Sequence, residues 1–269
     1  MDGKMSASKA YSRIVLVGDS YGIEQLLEYV PQEIIVGIIG ASIRPRYLDD
    51  LRHMAQEIGV SLLVQPRYDA PEYNDFVDKF AGLSPDLLLC HSYSMILRQE
   101  ILETVQYNAI NVHTALLPKN RGPNPVQWAI IRGERETGVT IHYMDEGLDS
   151  GDIIAQKKVS IRPDDTWVSL RSRLQTATCD LLEKTLPDIL LGRNSRSPQD
   201  DRKATANHRL DPEFPRIDFD TMSDRQIYDL IRAQVAPLKG AYIEKEEERI
   251  FIDTFMTMEQ VRQLRRQHG

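Results

Sequence analysis

The chain has 269 residues, enough for one full domain and a small appendage with a sizeable buried core. Hydrophobic residues make up 41% and charged residues 27%, a balance that excludes a disordered or fibrous chain. The formal net charge of -7 disfavours a large interface with nucleic acid, because binding to phosphates requires clustered Lys and Arg.

Continuous apolar runs alternate with amphipathic stretches over the first half of the chain. The apolar runs predict strands buried on both faces, and the stretches between them predict helices. This order implies an α/β fold with a Rossmann-like, doubly wound and mostly parallel sheet. The predicted strands are residues 14–18, 34–39, 61–64, 86–90 and 109–112, and the predicted helices are 23–29, 48–58 and 71–80.

The pattern changes after Pro125, where longer extended segments and a long helix follow. We expect a main domain over residues 11–200 and a small α+β C-terminal subdomain over 201–269, because the polar, turn-rich stretch 194–201 is typical of a linker. The predicted elements are a helix at 126–132, strands at 138–144 and 153–161, a helix at 168–191, a strand start and helix within 216–231, and a two-strand hairpin over 242–255 around the acidic run E-K-E-E-E.

The two cysteines, Cys90 and Cys179, lie far apart and form neither a metal-binding spacing nor a disulfide framework. This usage fits a reducing compartment, so we expect a cytoplasmic protein. The first ten residues lack an apolar signal core and are expected to form a frayed tail, with Met5 as an alternative start. No segment offers the apolar length of a membrane span, and no membrane partner is expected.

Polar residues follow several predicted strands, at the sheet edge where open α/β folds bind ligands. Asp19, residues 42–44 and 91–95, and the pair Asn111 and His113 occupy such positions. Asn111 and His113 are two residues apart on an extended segment, so both side chains leave the same face. The residues alone also allow an ordinary hydrogen-bonded histidine and a turn-forming asparagine.

The loop 145–152 holds four acidic residues and two glycines. Its spacing differs from the calcium-binding EF-hand loop, and a solvated acidic turn is the plain alternative. Asp149 stands between two glycine-bearing turns. Such turns would allow its carboxylate to point back to the sheet and raise the basicity of His113.

Other chemical motifs are weak or missing in the sequence. The run G-D-S-Y-G at 18–22 lacks the G-x-G-x-x-G spacing of dinucleotide-binding proteins, and no G-x-S-x-G, P-loop, H-E-x-x-H or C-x-x-C occurs. No ligand cluster supports a metal, and His91 and His142 are interpreted as packed or hydrogen-bonded histidines. Trp128 and Trp167 are interpreted as core anchors.

One long ordered motif resembles the 10-formyltetrahydrofolate-dependent formyltransferases, over roughly residues 12–253 and most strongly in the middle third. One position departs from the family pattern, because Ala115 stands where the family usually has Ser. The matching residues are Asn111, His113, Leu116-Leu117-Pro118, Arg121-Gly122, Pro125, Trp128 and Leu148-Asp149-Ser150-Gly151-Asp152.

The resemblance implies that an amine attacks the formyl carbon of N10-formyltetrahydrofolate, the co-substrate, without a metal. Asn111 would donate a hydrogen bond to the oxyanion, His113 would move the proton, and Asp149 would orient the imidazole. The resemblance also implies that the folate lies against the segment 92–97 and the loop before Asp149, although core packing is an equal alternative for that segment. The implied folate-binding residues are Tyr93, Met95, Ile96, Leu97, Met144, Asp145 and Glu146.

The C-terminal part resembles the segment that follows the catalytic domain in tRNA and sugar formyltransferases. Because the chain ends soon after Phe255 and its tail at 244–248 is acidic, the expected acceptor is an amino-dideoxy sugar on dTDP, UDP or GDP, as used for lipopolysaccharide O-antigen. A homodimer through the C-terminal part is a family-level expectation. The candidate acceptor contacts are Arg121, Asn124, Lys203, His208 and Arg209, and surface solubility explains the last three equally well.

Three alternatives remain open at this point. A methionyl-tRNA formyltransferase would use the same chemistry on a different amine. A formyltetrahydrofolate hydrolase would release formate without any amine. A non-catalytic folate-binding or nucleotide-binding module would have no activity to lose on mutation of Asn111 or His113.

Overall fold

The computed structural model describes residues 10–210, 215–245 and 248–269. The first nine residues, for which a frayed tail is predicted, and residues 246–247 of the acidic run lie outside this range. The chain divides into two compact units. Unit 1 comprises Met1–His113, Thr140–Gln156 and Cys179–Gln199, and unit 2 comprises Thr114–Val139, Lys157–Thr178 and Asp200–Gly269. A domain boundary at residue 200 stays a prediction.

A seven-stranded sheet with the order β3-β2-β1-β4-β5-β6-β7 organises the fold. The first five strands pair in parallel, and β6 runs antiparallel to β5. The Rossmann-like, mostly parallel sheet predicted from the sequence is therefore confirmed. The strands are β1 Ile14–Gly18, β2 Ile35–Ala41, β3 Ser61–Gln65, β4 Leu87–His91, β5 Ala109–His113, β6 Glu136–Tyr143 and β7 Ile153–Ser160.

Six helices alternate with or follow these strands. Every residue of β1 and β4 is buried. This explains why the sequence of each strand is almost entirely apolar, since both faces of the sheet are covered. The first turn of α1 is capped by Asp19, whose side chain accepts a hydrogen bond from Gly22 N. The helices are α1 Ser20–Leu27, α2 Leu48–Ile58, α3 Tyr73–Gly82, α4 Gln99–Thr104, α5 Pro125–Ile131 and α6 Trp167–Leu190.

The end of the chain, within unit 2, forms an antiparallel hairpin of β8 Ala241–Lys245 and β9 Glu248–Ile252 between helices α7 Asp224–Arg232 and α8 Met258–His268. The predicted hairpin and helix are confirmed. The strand start expected near residue 216 is only an isolated bridge between Arg216 and Tyr242. None of the described helices is both long and apolar enough to cross a bilayer.

Unit 2 contains a buried ion pair. Arg232 is 1% exposed, and its Nε donates to Asp229 Oδ1 over 2.7 Å. Its Nη1 donates to the backbone oxygen of Asp165, also over 2.7 Å. Trp167 is buried and donates from Nε1 to Val235 O, so its interpretation as a core anchor is correct.

Candidate active site

The register between β5 and β6 brings four polar side chains to one face of the sheet. Asn111 is the cross-strand partner of His142, and His113 is the partner of Thr140. Directly opposed residues of an antiparallel pair project from the same face. The pairing therefore places a carboxamide, two imidazoles and a hydroxyl side by side.

The loop between β6 and β7 supplies a carboxylate to this group. Asp149 has a φ of 52°, in the left-handed region, where Asp is among the residues that tolerate it best. Gln199 Nε2 donates to Asp149 O over 2.9 Å and to Gly151 O over 2.7 Å. Both loop carbonyls are thus tied to one side chain, which holds the turn that aims the carboxylate.

Asp149 lies close to three of the strand residues. Its Oδ2 is 3.6 Å from His113 Nδ1, and its Oδ1 is 3.6 Å from His142 Nε2. Asn111 Nδ2 contacts the same carboxylate, at 3.4 Å from Oδ1. Asn111, His113 and Asp149, chosen from the sequence as a catalytic group, are therefore brought together in unit 1.

His142 joins this group, although the sequence indicated only a packed or hydrogen-bonded histidine. It is 1% exposed, and it does make hydrogen bonds, to Tyr143 O at 2.7 Å and to Asn111 Nδ2 at 3.2 Å. His113 is 8% exposed, and the two imidazole rings meet edge to face at 6.3 Å between centroids. The signal for His142 is the strand register, which the sequence does not display.

A small cavity opens at the carboxyl ends of β1, β2 and β4, where ligands of open α/β sheets bind. Tyr93 in its wall donates from its hydroxyl to Gln65 Oε1 over 2.6 Å. Burial raises the pKa of Tyr93 well above its ordinary value, so this hydroxyl stays a donor. The cavity is lined by Gly18, Asp19, Ala41, Arg44, Tyr47, Leu51, Ser92, Tyr93 and Ser94.

The remaining residues predicted to bind folate have different environments. Leu97 is buried in the core cluster beside α3 and α4, Met95 is partly buried, and Ile96 is 73% exposed. Met144 packs against the same core cluster. Asp145 Oδ1 accepts from Ser150 Oγ and Gly147 N, and Glu146 accepts from the Tyr107 hydroxyl.

The five predicted acceptor contacts all belong to unit 2. Arg121 donates to Asp201 Oδ1 over 2.7 Å, and Asn124 adopts the left-handed conformation at the start of α5. Lys203 lies 3.4 Å from Asp200 and is 72% exposed. His208 packs edge to face on Trp128, which is buried as predicted, and Arg209 is exposed.

His91 and the two cysteines lie outside this polar group. His91 is buried and bonded to Val112 O and Gln25 Oε1, so its interpretation as a packed histidine is correct. Both cysteines are free, and burial raises the pKa of the Cys90 thiol, which leaves it unreactive. Among the described residues, no group of three His, Cys, Asp or Glu side chains is arranged to hold a metal ion.

Known proteins are similar to this chain in sequence and in fold. The formyl transferase family matches residues 23–186, so the chain belongs to that family, as its motifs predicted. A methionyl-tRNA formyltransferase from Halothermothrix orenii is 36% identical over 203 residues, which cover 76% of this chain and 62% of that protein. The chain spans 54–62% of the length of the curated relatives it matches.

Solved structures of lower identity share the fold. A sugar N-formyltransferase from Shewanella sp FDAARGOS_354 has a TM-score of 0.73 at 21% identity, over 91% of this chain and 98% of that chain. An N-formyltransferase from Helicobacter canadensis, solved with folinic acid and dTDP-3-aminofucose, has a TM-score of 0.65 at 17% identity, over 88% and 86%. These likenesses confirm the fold class.

Proposed function

We propose that this protein transfers the formyl group of N10-formyltetrahydrofolate to the amine of a nucleotide-linked amino-dideoxy sugar. The observation that supports formyl transfer is the clustering of Asn111, His113 and Asp149, with the Asp149 carboxylate 3.4 Å from Asn111 Nδ2 and 3.6 Å from His113 Nδ1. The reaction needs a donor for a developing oxyanion and a group that relays one proton, and an amide, an imidazole and a carboxylate supply these functions.

Each side chain has one role in the proposed reaction. The amine nitrogen bonds to the formyl carbon, and Asn111 Nδ2 donates to the oxygen as it becomes negative. His113 accepts the proton that the nitrogen loses and delivers it to N10 of the folate as the bond from carbon to N10 breaks. Asp149, 3.6 Å from Nδ1, stabilises the positive charge that forms on the imidazole.

We assign the folate to the strand ends beside this cluster. Tyr93 and Met95, both partly buried on the segment that follows β4, offer apolar surface with polar groups around it, as a flat heteroaromatic ring requires. Met144, Asp145 and Glu146 begin the loop that carries Asp149. Ile96 has the exposed surface for a ligand contact, whereas Leu97 would act by supporting the segment from the core.

The sugar nucleotide is proposed as the acceptor from the extent of the shared fold and from the net charge of the chain. The shared fold spans 98% of a sugar N-formyltransferase, and a neighbour of the same fold was solved with a dTDP-linked amino sugar. The net charge of -7 also disfavours a tRNA acceptor. Arg121, Asn124, Lys203, His208 and Arg209 are the proposed contacts for the sugar nucleotide. A role in O-antigen synthesis, a cytoplasmic location and a homodimer complete the proposal.

A second acceptor has a specific observation in its favour. The curated relatives at 36–40% identity are methionyl-tRNA formyltransferases, and sequence identity is much lower with the sugar enzymes. Formylation of methionyl-tRNA would use the same three catalytic side chains, so the two functions differ only in the amine that enters.

One assay separates these candidates. The protein is incubated with N10-formyltetrahydrofolate and either a panel of dTDP-, UDP- and GDP-linked amino sugars or charged initiator tRNA, and release of tetrahydrofolate is followed by absorbance. Turnover with a sugar nucleotide alone supports the proposal. Turnover with the tRNA alone would make methionyl-tRNA the acceptor in place of a sugar nucleotide. Formate release without any amine would indicate a hydrolase. No turnover in any of these reactions would reject catalysis of formyl transfer.

A further inference from the structure

His142 lies beside the Asn111 amide, and the reaction proposed above gives it no role. It is the cross-strand partner of Asn111 and is 1% exposed. Burial of an imidazole is unfavourable unless its nitrogen atoms are hydrogen-bonded. Both nitrogens have partners, and the chemistry of those partners determines which nitrogen carries the hydrogen.

The tautomer of His142 follows from its neighbour in the chain. The Nδ1 atom lies 2.7 Å from the backbone oxygen of Tyr143, and a carbonyl oxygen only accepts hydrogen bonds. Nδ1 therefore carries a hydrogen. In the neutral imidazole, Nε2 is then an acceptor, and it accepts from Asn111 Nδ2 over 3.2 Å.

This acceptor fixes the orientation of the Asn111 amide. A carboxamide has one end that donates and one that accepts, and Nδ2 faces two acceptors, His142 Nε2 at 3.2 Å and Asp149 Oδ1 at 3.4 Å. If the amide turned over, its oxygen would face both acceptors. The contact to Asp149 is the longer and weaker of the two. The hydrogen that makes it is therefore the one that can move to a stronger acceptor, such as an oxyanion.

We propose that His142 is a positioning residue that holds Asn111 with its NH2 group directed to the oxygen of the formyl group; the inference rests on the proposed formyl transfer. One hydrogen of Nδ2 stays with His142 Nε2, and the other leaves Asp149 for the oxyanion. The chain of contacts runs from the Tyr143 carbonyl through the imidazole to the amide, so the backbone of β6 sets the direction of a side chain on β5.

Two isosteric substitutions test this role. In His142→Gln the side-chain oxygen occupies the place of Nε2 and still accepts from Asn111. In His142→Asn the amide nitrogen occupies the place of Nδ1, which keeps the bond to Tyr143 and removes the acceptor. We expect His142→Asn to lower kcat about 10–10²-fold with little change in KM, because the Asn111 donor remains but is no longer held in one orientation, and we expect His142→Gln to keep most of the activity.

Folding and folate binding are measured on both variants, by thermal denaturation and by titration with folinic acid. Equal kcat for both variants, whether high or low, overturns the inference, because it means that the acceptor at Nε2 does not matter. A second readout is independent of turnover: the side-chain NH2 signals of Asn111 in ¹H–¹⁵N NMR should shift in His142→Asn and stay near their native positions in His142→Gln. If the native protein has no transferase activity, the proposed function fails, and these signals alone decide whether His142 orients the amide. Unchanged signals in both variants reject the orientation itself.

Discussion

Asp149 and His113 face each other across 3.6 Å, although one lies in a loop and the other ends a central strand. The carboxylate reaches this position from a backbone in the left-handed region, with Gln199 binding the loop carbonyls. The geometry of the site therefore depends on the loop as much as on the sheet.

Asp149→Asn should reduce kcat by about 10²–10⁴-fold, because the neutral amide does not stabilise a charged imidazole. Asn also tolerates the left-handed conformation, so the fold should be unaffected. Steady-state kinetics and circular dichroism measure the two effects. Asp75→Asn, which removes an exposed carboxylate on α3, is the matched control and should behave as the native enzyme.

Asn111→Asp should be more damaging than Asn111→Ala. The alanine variant loses an oxyanion donor, worth about 10²–10³-fold in kcat. The aspartate variant adds a second carboxylate where Nδ2 now lies 3.4 Å from Asp149 Oδ1, and like charges at that distance raise the pKa of one of the pair. The activity of Asn111→Asp relative to that of Asn111→Ala should therefore rise as the pH falls, because both variants keep His113 and only the aspartate variant has the second carboxylate. Parallel pH profiles of the two variants would contradict this explanation.

Gly151→Ala should disturb the site through the loop. A Cβ at this position would lie 2.1 Å from Tyr143 O, so the backbone must move. A displacement of this kind is expected to lower kcat about 10–10²-fold. Gly82→Ala is the control, since its Cβ meets nothing within 4 Å and it lies at the end of α3. That variant should keep its activity and gain up to about 1 kcal/mol of stability in urea.

Arg232→Met should lower the free energy of unfolding by about 3–5 kcal/mol, because it leaves Asp229 without its buried partner. Arg225 also binds Asp229 but is 54% exposed, and Arg225→Met should cost less than about 1 kcal/mol. Urea denaturation of both variants gives the comparison. Equal losses of unfolding free energy in the two variants would contradict the expectation that the buried ion pair matters more than the exposed one.

The sheet was predictable because its central strands are apolar on both faces. Helix α2 has the bounds expected from its periodicity, Leu48–Ile58. Helix α4 has only six residues and escaped prediction, as did α8, which buries only Val261. The capping box at Thr257 and Gln260 was the available signal for α8.

The proposed catalytic group was predictable only in part. Asn111 and His113 share a face of one strand by simple alternation, and the family motif indicated Asp149. The position of His142 depends on how β6 pairs with β5, a long-range property that apolar patterning along one strand does not contain. The roles of all these side chains remain predictions until the variants are measured.

The register between β6 and β5 has an evolutionary consequence. Side chains alternate along a strand, so deletion of one residue within β6 would carry His142 to the opposite face. Added or lost residues in the connection between β5 and β6 leave that alternation intact. Homologues that keep His142 should therefore have a constant number of residues in β6 up to Tyr143.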